Sequence, residues 1–243
     1  VKSIYFRKGL VFVMLIGFIS CKIDQKNNKK LLSESAHIIK SYQDSISSSN
    51  STDISRRYRD SVYRKIIDSY IGDHKFKDFA NIVFNTSKLQ KPLFIEVTSS
   101  TCPPCKSQIP ALNKIVEKYK DSVDFVLLFG DNTQKVKQLS SMYNDEIELI
   151  PNRGSYKQPL NFSGFKHGMG YPSKYYIDVN KKIVHYSSGA MMPNGSIITR
   201  DSLGRIIKET LVTEKIADSM NFAKLEAEIQ YLLTQNRFLP SQE

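Results

Sequence analysis

The stretch Lys91-Pro-Leu-Phe-Ile-Glu-Val-Thr-Ser-Ser-Thr-Cys-Pro-Pro-Cys-Lys-Ser-Gln-Ile-Pro110 decides the reading of this chain. Pro92 to Val97 is apolar and β-branched, and predicts a strand. Ser99, Ser100 and Thr101 are turn and cap residues. Pro103 and Pro104 suit a first helical turn, where a missing N–H costs nothing. Ile109, Leu112, Ile115, Val116 and Tyr119 then mark one apolar face at helical spacing. Cys102 is therefore expected at the positive end of a helix and Cys105 one turn inside it. A helix N-terminus favours the thiolate, which is the nucleophile. On this reading Cys102 is the exposed, lower-pKa thiol that attacks a partner disulfide, and Cys105 resolves the mixed disulfide. The competing readings of the pair are half of a zinc site or two unrelated thiols. Zinc takes four ligands, and the chain has three cysteines and four scattered histidines without ligand spacing, so redox chemistry is preferred.

The segment resembles the active site of thioredoxin-fold proteins, in more than its Cys-x-x-Cys. Lys106 follows the second cysteine, and Pro110 stands where that family carries a helix-kinking proline. Glu96 stands where thioredoxins carry a buried acid, and Gly170-Tyr-Pro-Ser-Lys-Tyr-Tyr-Ile-Asp178 is similar to the family's cis-proline loop with its following strand. The likeness covers about residues 76 to 190 and a terminal helix. It implies an α/β, thioredoxin-like fold, a central mixed sheet flanked by helices, here with an N-terminal helical extension. It further implies that Pro172 is cis and that the Tyr171–Pro172 loop offers backbone groups to an extended substrate chain. Glu96 is then the proton acceptor for Cys105, and no cofactor is needed beyond the redox-active Cys102–Cys105 pair. A carboxyl on an apolar strand would have a raised pKa, which suits that task. Thr101 replaces the Trp that usually precedes the first cysteine, and Tyr171 is expected to supply part of the missing rim. The Pro-Pro dipeptide leaves fewer N–H donors for the Cys102 sulfur, which points to a more reducing pair. The nearest subgroup is the exported, often membrane-tethered TlpA/ResA-type oxidoreductases, and it implies a reductase acting on exported protein disulfides and fed by an unidentified reductant. A thioredoxin scaffold that binds a metal or a partner without redox turnover is the alternative. His167, the one histidine near the cis-proline loop, is expected to be solvated.

Working outward, residues 1–20 carry Lys2, Arg7 and Lys8 before a ten-residue apolar run, Leu10 to Ile19. That run is too short for a bilayer span and right for an export signal. Ser20-Cys21 closes it in the manner of a bacterial lipoprotein signal. Cys21 is thus the expected lipidation site, tethering the protein on the extracytoplasmic, periplasmic side of a membrane. Lys22, in place of Asp, favours the outer membrane over the inner. Residues 21–52 are polar linker, with Ser47-Ser-Ser-Asn-Ser-Thr52 at its end and a short helix allowed at Lys30 to Tyr42. Residues 53–75 predict a helical extension, with Tyr58, Val62, Ile66, Ile67 and Tyr70 at helical spacing, and 76–238 the thioredoxin-like domain.

Within that domain Phe76 to Phe84 is ambiguous between strand and helix. Val123 to Phe129 is a buried strand, Gln134 to Tyr143 a helix capped around Asp131-Asn-Thr133, and Glu146 to Ile150 a short strand. Arg153 to Gly170 reads as a functional loop. Tyr175–Val179 and Ile183–Ser187 form a hairpin, residues 189–216 a second hairpin or insertion, and Asn221 to Leu233 a closing helix. The net charge of +11 over 243 residues is that of a lysine-rich solvated surface. No basic run is interleaved with aromatics as base stacking requires, so no nucleic-acid partner is expected.

Overall fold

The computed structural model describes residues 41, 44–45, 52–67, 69–156 and 160–237. The signal segment, Cys21, most of the linker and the allowed helix at 30–42 lie outside them, apart from three linker positions. At these Ser45 Oγ donates to the Ser41 carbonyl at 2.9 Å, a one-turn spacing.

The predicted strand forms as β3 (Leu93–Thr98). Every residue of it is buried, because it occupies the centre of a five-stranded mixed sheet. Beside it run β4 (Asp124–Phe129) and then β5 (Ile147–Pro151), both parallel. On its other side lie β8 (Ser173–Ile177) and then β9 (Ile183–Ser188), both antiparallel. The turn between β8 and β9 places Lys181 at φ +69°, where the hairpin was expected.

Alternation along β3 divides its side chains between two cores. Phe94 joins Leu127, Phe129 and Tyr176 under α3 (Ile109–Tyr119) and α5 (Glu214–Arg237). Ile95 and Val97 join Val126, Leu128 and Tyr175 on the opposite face. There they meet Val62 and Ile66 of α1 (Thr52–Ile66) and two small hairpins. One hairpin pairs β1 (Lys75–Lys77) with β2 (Val83–Asn85), which resolves the ambiguity at 76–84 as strands. The other pairs β6 (Leu160–Phe162) with β7 (Phe165–His167), within the segment expected to be a loop. Leu160, Phe162 and Phe165 are buried, so apolar burial explains the order this segment takes.

Three further expectations are corrected. The active-site helix is two helices, α2 (Pro103–Ser107) and α3, which meet at Gln108, two residues before Pro110 in the first turn of α3. The predicted helix at 134–143 is α4 (Thr133–Leu139), capped by the Asn132 side chain and followed by a 3-10 turn. The closing helix begins seven residues earlier than read and, with α3, covers one side of the sheet. The segment 189–216 does carry a hairpin, β10 (Ser196–Arg200) with β11 (Ile206–Leu211).

Candidate active site

Cys102 and Cys105 are joined by a disulfide, and Cys102 is itself the N-cap of α2. The cap is therefore sulfur, in place of the Ser or Thr hydroxyl expected from sequence. The Cys105 N–H donates to Cys102 Sγ at 3.2 Å, the donor that the two prolines leave in place. Cys102 is 9% exposed and Cys105 2%, so the pair is less open than its sequence suggested, with Cys102 the outer sulfur. The turn that delivers Cys102 from β3 is pinned across the sheet end. Asp131, just after β4, accepts from the Ser100 N–H at 2.7 Å and from its hydroxyl.

The Tyr171–Pro172 peptide is cis, as expected. Its place relative to the dithiol follows from the ladder. Ser173, which follows Pro172, pairs with Val97, so the loop and the Ser99–Thr101 turn leave the sheet at the same end. Thr101, Ser100, Gly130, Lys135, Tyr156 and Tyr171 line one cleft of about 520 Å³ there. A Cβ on Gly130 would stand 2.6 Å from the Tyr171 hydroxyl, so glycine is what lets the ring lie across the strand end. Thr101 and Tyr171, expected to share the substrate rim, thus line the same cleft.

Glu96 is 1% exposed and lies on the face covered by α3 and α5. Its Oε1 accepts from Gln108 Nε2, three residues beyond Cys105, and its Oε2 has no hydrogen-bond partner. Burial raises its pKa to about 7, against the opposing pull of Lys174 and the Gln108 bond. The register sets this residue on the interior face, in line with the buried acid that the resemblance implied. Two members of the site were missed. Gln108 could have been found from its spacing to Cys105. Lys174 could not, because only the β3–β8 register sets it opposite Glu96.

His167 corrects a further reading. It is 1% exposed on β7, its Nδ1 lies 2.9 Å from the Tyr175 hydroxyl, and its ring stacks beside Tyr171. Burial lowers its pKa to about 4, so it is neutral at physiological pH and supports the loop from beneath.

A parallel β3–β4–β5 half, an antiparallel β8–β9 half, a dithiol at the cap of the helix after the central strand and a cis-proline before β8 define a thioredoxin-like fold. Comparison with known sequences agrees. The sequence model of the iodothyronine deiodinase family matches residues 47–143, less than half of the chain. The chain is similar to the thioredoxin-like protein HCF164 of Oryza sativa subsp. japonica chloroplasts, 30% identical over 99 residues, which cover 41% of this chain and 35% of that one. It also resembles the type II iodothyronine deiodinase of Sus scrofa, 39% identical over 54 residues, 22% of this chain and 18% of that one. These matches span well under half the length of either relative. Among solved structures, a thiol:disulfide interchange protein from Bacteroides sp. overlays 50% of this chain and 80% of its own at a TM-score of 0.41 and 16% identity.

Proposed function

We propose that this protein is a thiol–disulfide oxidoreductase, tethered to a membrane through Cys21, that reduces disulfides of extracytoplasmic proteins. The observation that carries the reading is the Cys102–Cys105 disulfide at the cap of α2, at the same sheet end as the cis-Pro172 loop. In the reduced state the Cys102 thiolate attacks one sulfur of a partner disulfide, forming a mixed disulfide and expelling a partner thiolate. Deprotonated Cys105 then attacks Cys102 Sγ, which restores the internal disulfide and releases the second partner thiolate. Glu96 takes the Cys105 proton, a role that its interior position and a pKa near 7 suit. Tyr171, Pro172 and Thr101 form the rim against which the partner chain lies. An external dithiol returns the pair to its reduced state.

The extracytoplasmic assignment rests on the sequence of residues 1–21, whose charged start, short apolar run and closing cysteine fit a lipoprotein signal. Two acyl chains or more on Cys21 would make the attachment stable.

The test is the equilibrium reduction potential of the pair in the full chain, with disulfide reduction assayed on the same sample. A reversible two-electron couple with turnover, and a stable mixed disulfide accumulating in Cys105→Ser, is the expected result. A pair that does not cycle overturns the reading, and a high potential turns the reductase into an oxidant.

A further inference from the structure

Among the described residues Lys174 is the one buried lysine, 1% exposed at the centre of the sheet, and burying an ammonium is costly unless it has partners. It sits directly across from Glu96 in the β3–β8 register, so both side chains project to the same face. Its Nζ donates to the Gly189 carbonyl at 2.7 Å. The N–H of the same Gly189 donates to the Pro172 carbonyl at 2.9 Å. Gly189 holds φ at +74°, a conformation that glycine adopts freely. One residue, through its N–H on one side and its carbonyl on the other, therefore ties the buried ammonium to the loop that faces the dithiol.

We propose that Lys174 is a positioning residue of the dithiol site, which sets the charge of the Glu96 carboxyl and, through Gly189, holds the Pro172 loop against the end of β3. The proposal rests on the oxidoreductase reading and deepens it. Glu96 must be an anion to accept the Cys105 proton and neutral to complete the cycle. The groups that act on it come from several elements packed around it. Lys174 on β8 stabilises the anion; Glu228 on α5 opposes it. Gln108 between α2 and α3 and Thr98 on β3 act with Lys174 as hydrogen-bond donors. Tyr176 on β8, and Tyr143 after α4, are also coupled to it. Lys224, also on α5, acts on Lys174 in turn. Lys174 is the cation in direct register, so removing it leaves the carboxyl facing only like charge and neutral donors. Glu228 is itself occupied, since it accepts from Tyr176 and from Ser187 and lies 3.5 Å from His185 Nε2.

The experiment compares wild type, Lys174→Met, Glu96→Gln and the double variant, reading the pH profile of disulfide reduction by the full chain. Methionine keeps the length and apolar stem of the lysine, and replacing a buried ion by an apolar side chain is often tolerated. The expected result for Lys174→Met is a rate inflection moved upward by about one pH unit, since the anion loses its cation. In the Glu96→Gln background the same substitution leaves the profile unmoved, because the group it acts through is gone. A carboxyl carbon titration of wild type and Lys174→Met by NMR reads the same shift at Glu96 without turnover. An unmoved Glu96 titration overturns the proposal while leaving turnover, and so the oxidoreductase reading, intact. If Lys174→Met does not fold, Lys174→Arg, which keeps the charge, must hold the wild-type inflection, and a profile displaced there overturns the proposal. A wild type without turnover overturns the oxidoreductase reading and, with it, the role given to Lys174.

Discussion

The β3–β8 centre of the sheet and the β10–β11 arm are both antiparallel ladders, yet they are held by opposite means. Phe94, Ile95 and Tyr176 at the centre are fully buried, and Phe94 meets Phe125 and Tyr176 with ring centroids 5.6 and 5.3 Å apart. In the arm Ile198, Ile206, Ile207 and Leu211 are between 46% and 63% exposed, and β10 and β11 pair only with each other. A two-stranded ribbon is marginal in water by itself. The arm is instead fixed at its root, where the buried Asn221 of α5 accepts from Met191 N–H at 2.7 Å and donates to Met191 O at 3.0 Å. Ser107 of α2 donates to the same carbonyl at 2.7 Å. Apolar packing holds the centre, and directed hydrogen bonds from two helices hold the arm. The centre can therefore bury an acid and a lysine that water would otherwise claim, while the arm tolerates exposed aliphatic side chains.

Four substitutions test this contrast. Phe94→Ala leaves a cavity beside the rings of Phe125 and Tyr176, and should cost about 3–5 kcal/mol in urea unfolding. A smaller loss would show that the centre can collapse around the gap. Glu96→Gln probes the buried acid through pH. The folded state holds a proton on Glu96 up to about pH 7, whereas the unfolded chain releases it near the usual 4.5. Folded protein binds more protons in that window, so stability is fullest below pH 4.5 and falls as pH rises through 7, by roughly 3 kcal/mol. Comparing unfolding midpoints at pH 5 and pH 8 should show this fall in wild type and its loss in Glu96→Gln. Asn221→Ala strips both bonds from the arm's root and leaves a Met191 N–H unmatched, which should cost about 1–3 kcal/mol. Proteolysis should then cut first between residues 194 and 212. Ile207→Ser, 63% exposed in the arm, should change stability by no more than about 0.5 kcal/mol. A large effect there would mean that the arm is covered by something in solution.

The order in which the two regions could be read follows from the same physics. The centre was legible because β3 is a continuous apolar run, bounded by Pro92 and a Ser-Ser-Thr turn, and leads into a helix with prolines in its first turn. The arm's turns were visible in Asn194-Gly195 and Leu203-Gly204, but its exposure was not. Aliphatic residues such as Ile206-Ile207 look alike whether or not anything covers them. His167 was misread for a related reason. The polar, glycine-containing stretch around it resembles a surface loop, yet Phe162 and Phe165 draw it into a hairpin beneath β8, and the histidine is buried with them.

What the sequence by itself determined is everything set by near neighbours along the chain. Spacing put Cys102 at the start of a helix and Cys105 one turn within it, and turn chemistry marked the hairpin across Asn180-Lys181-Lys182. The resemblance of a short motif identified the fold and pointed to cis-Pro172. What only the tertiary structure decided is what depends on register between distant strands. That register turns Glu96 inward instead of out, sets Lys174 opposite it from 78 residues away, and joins Thr101 to Tyr171 in one cleft. A strand's two faces differ by a single residue of register, and no local pattern in Phe94-Ile95-Glu96-Val97 reveals which face another strand and two helices will cover.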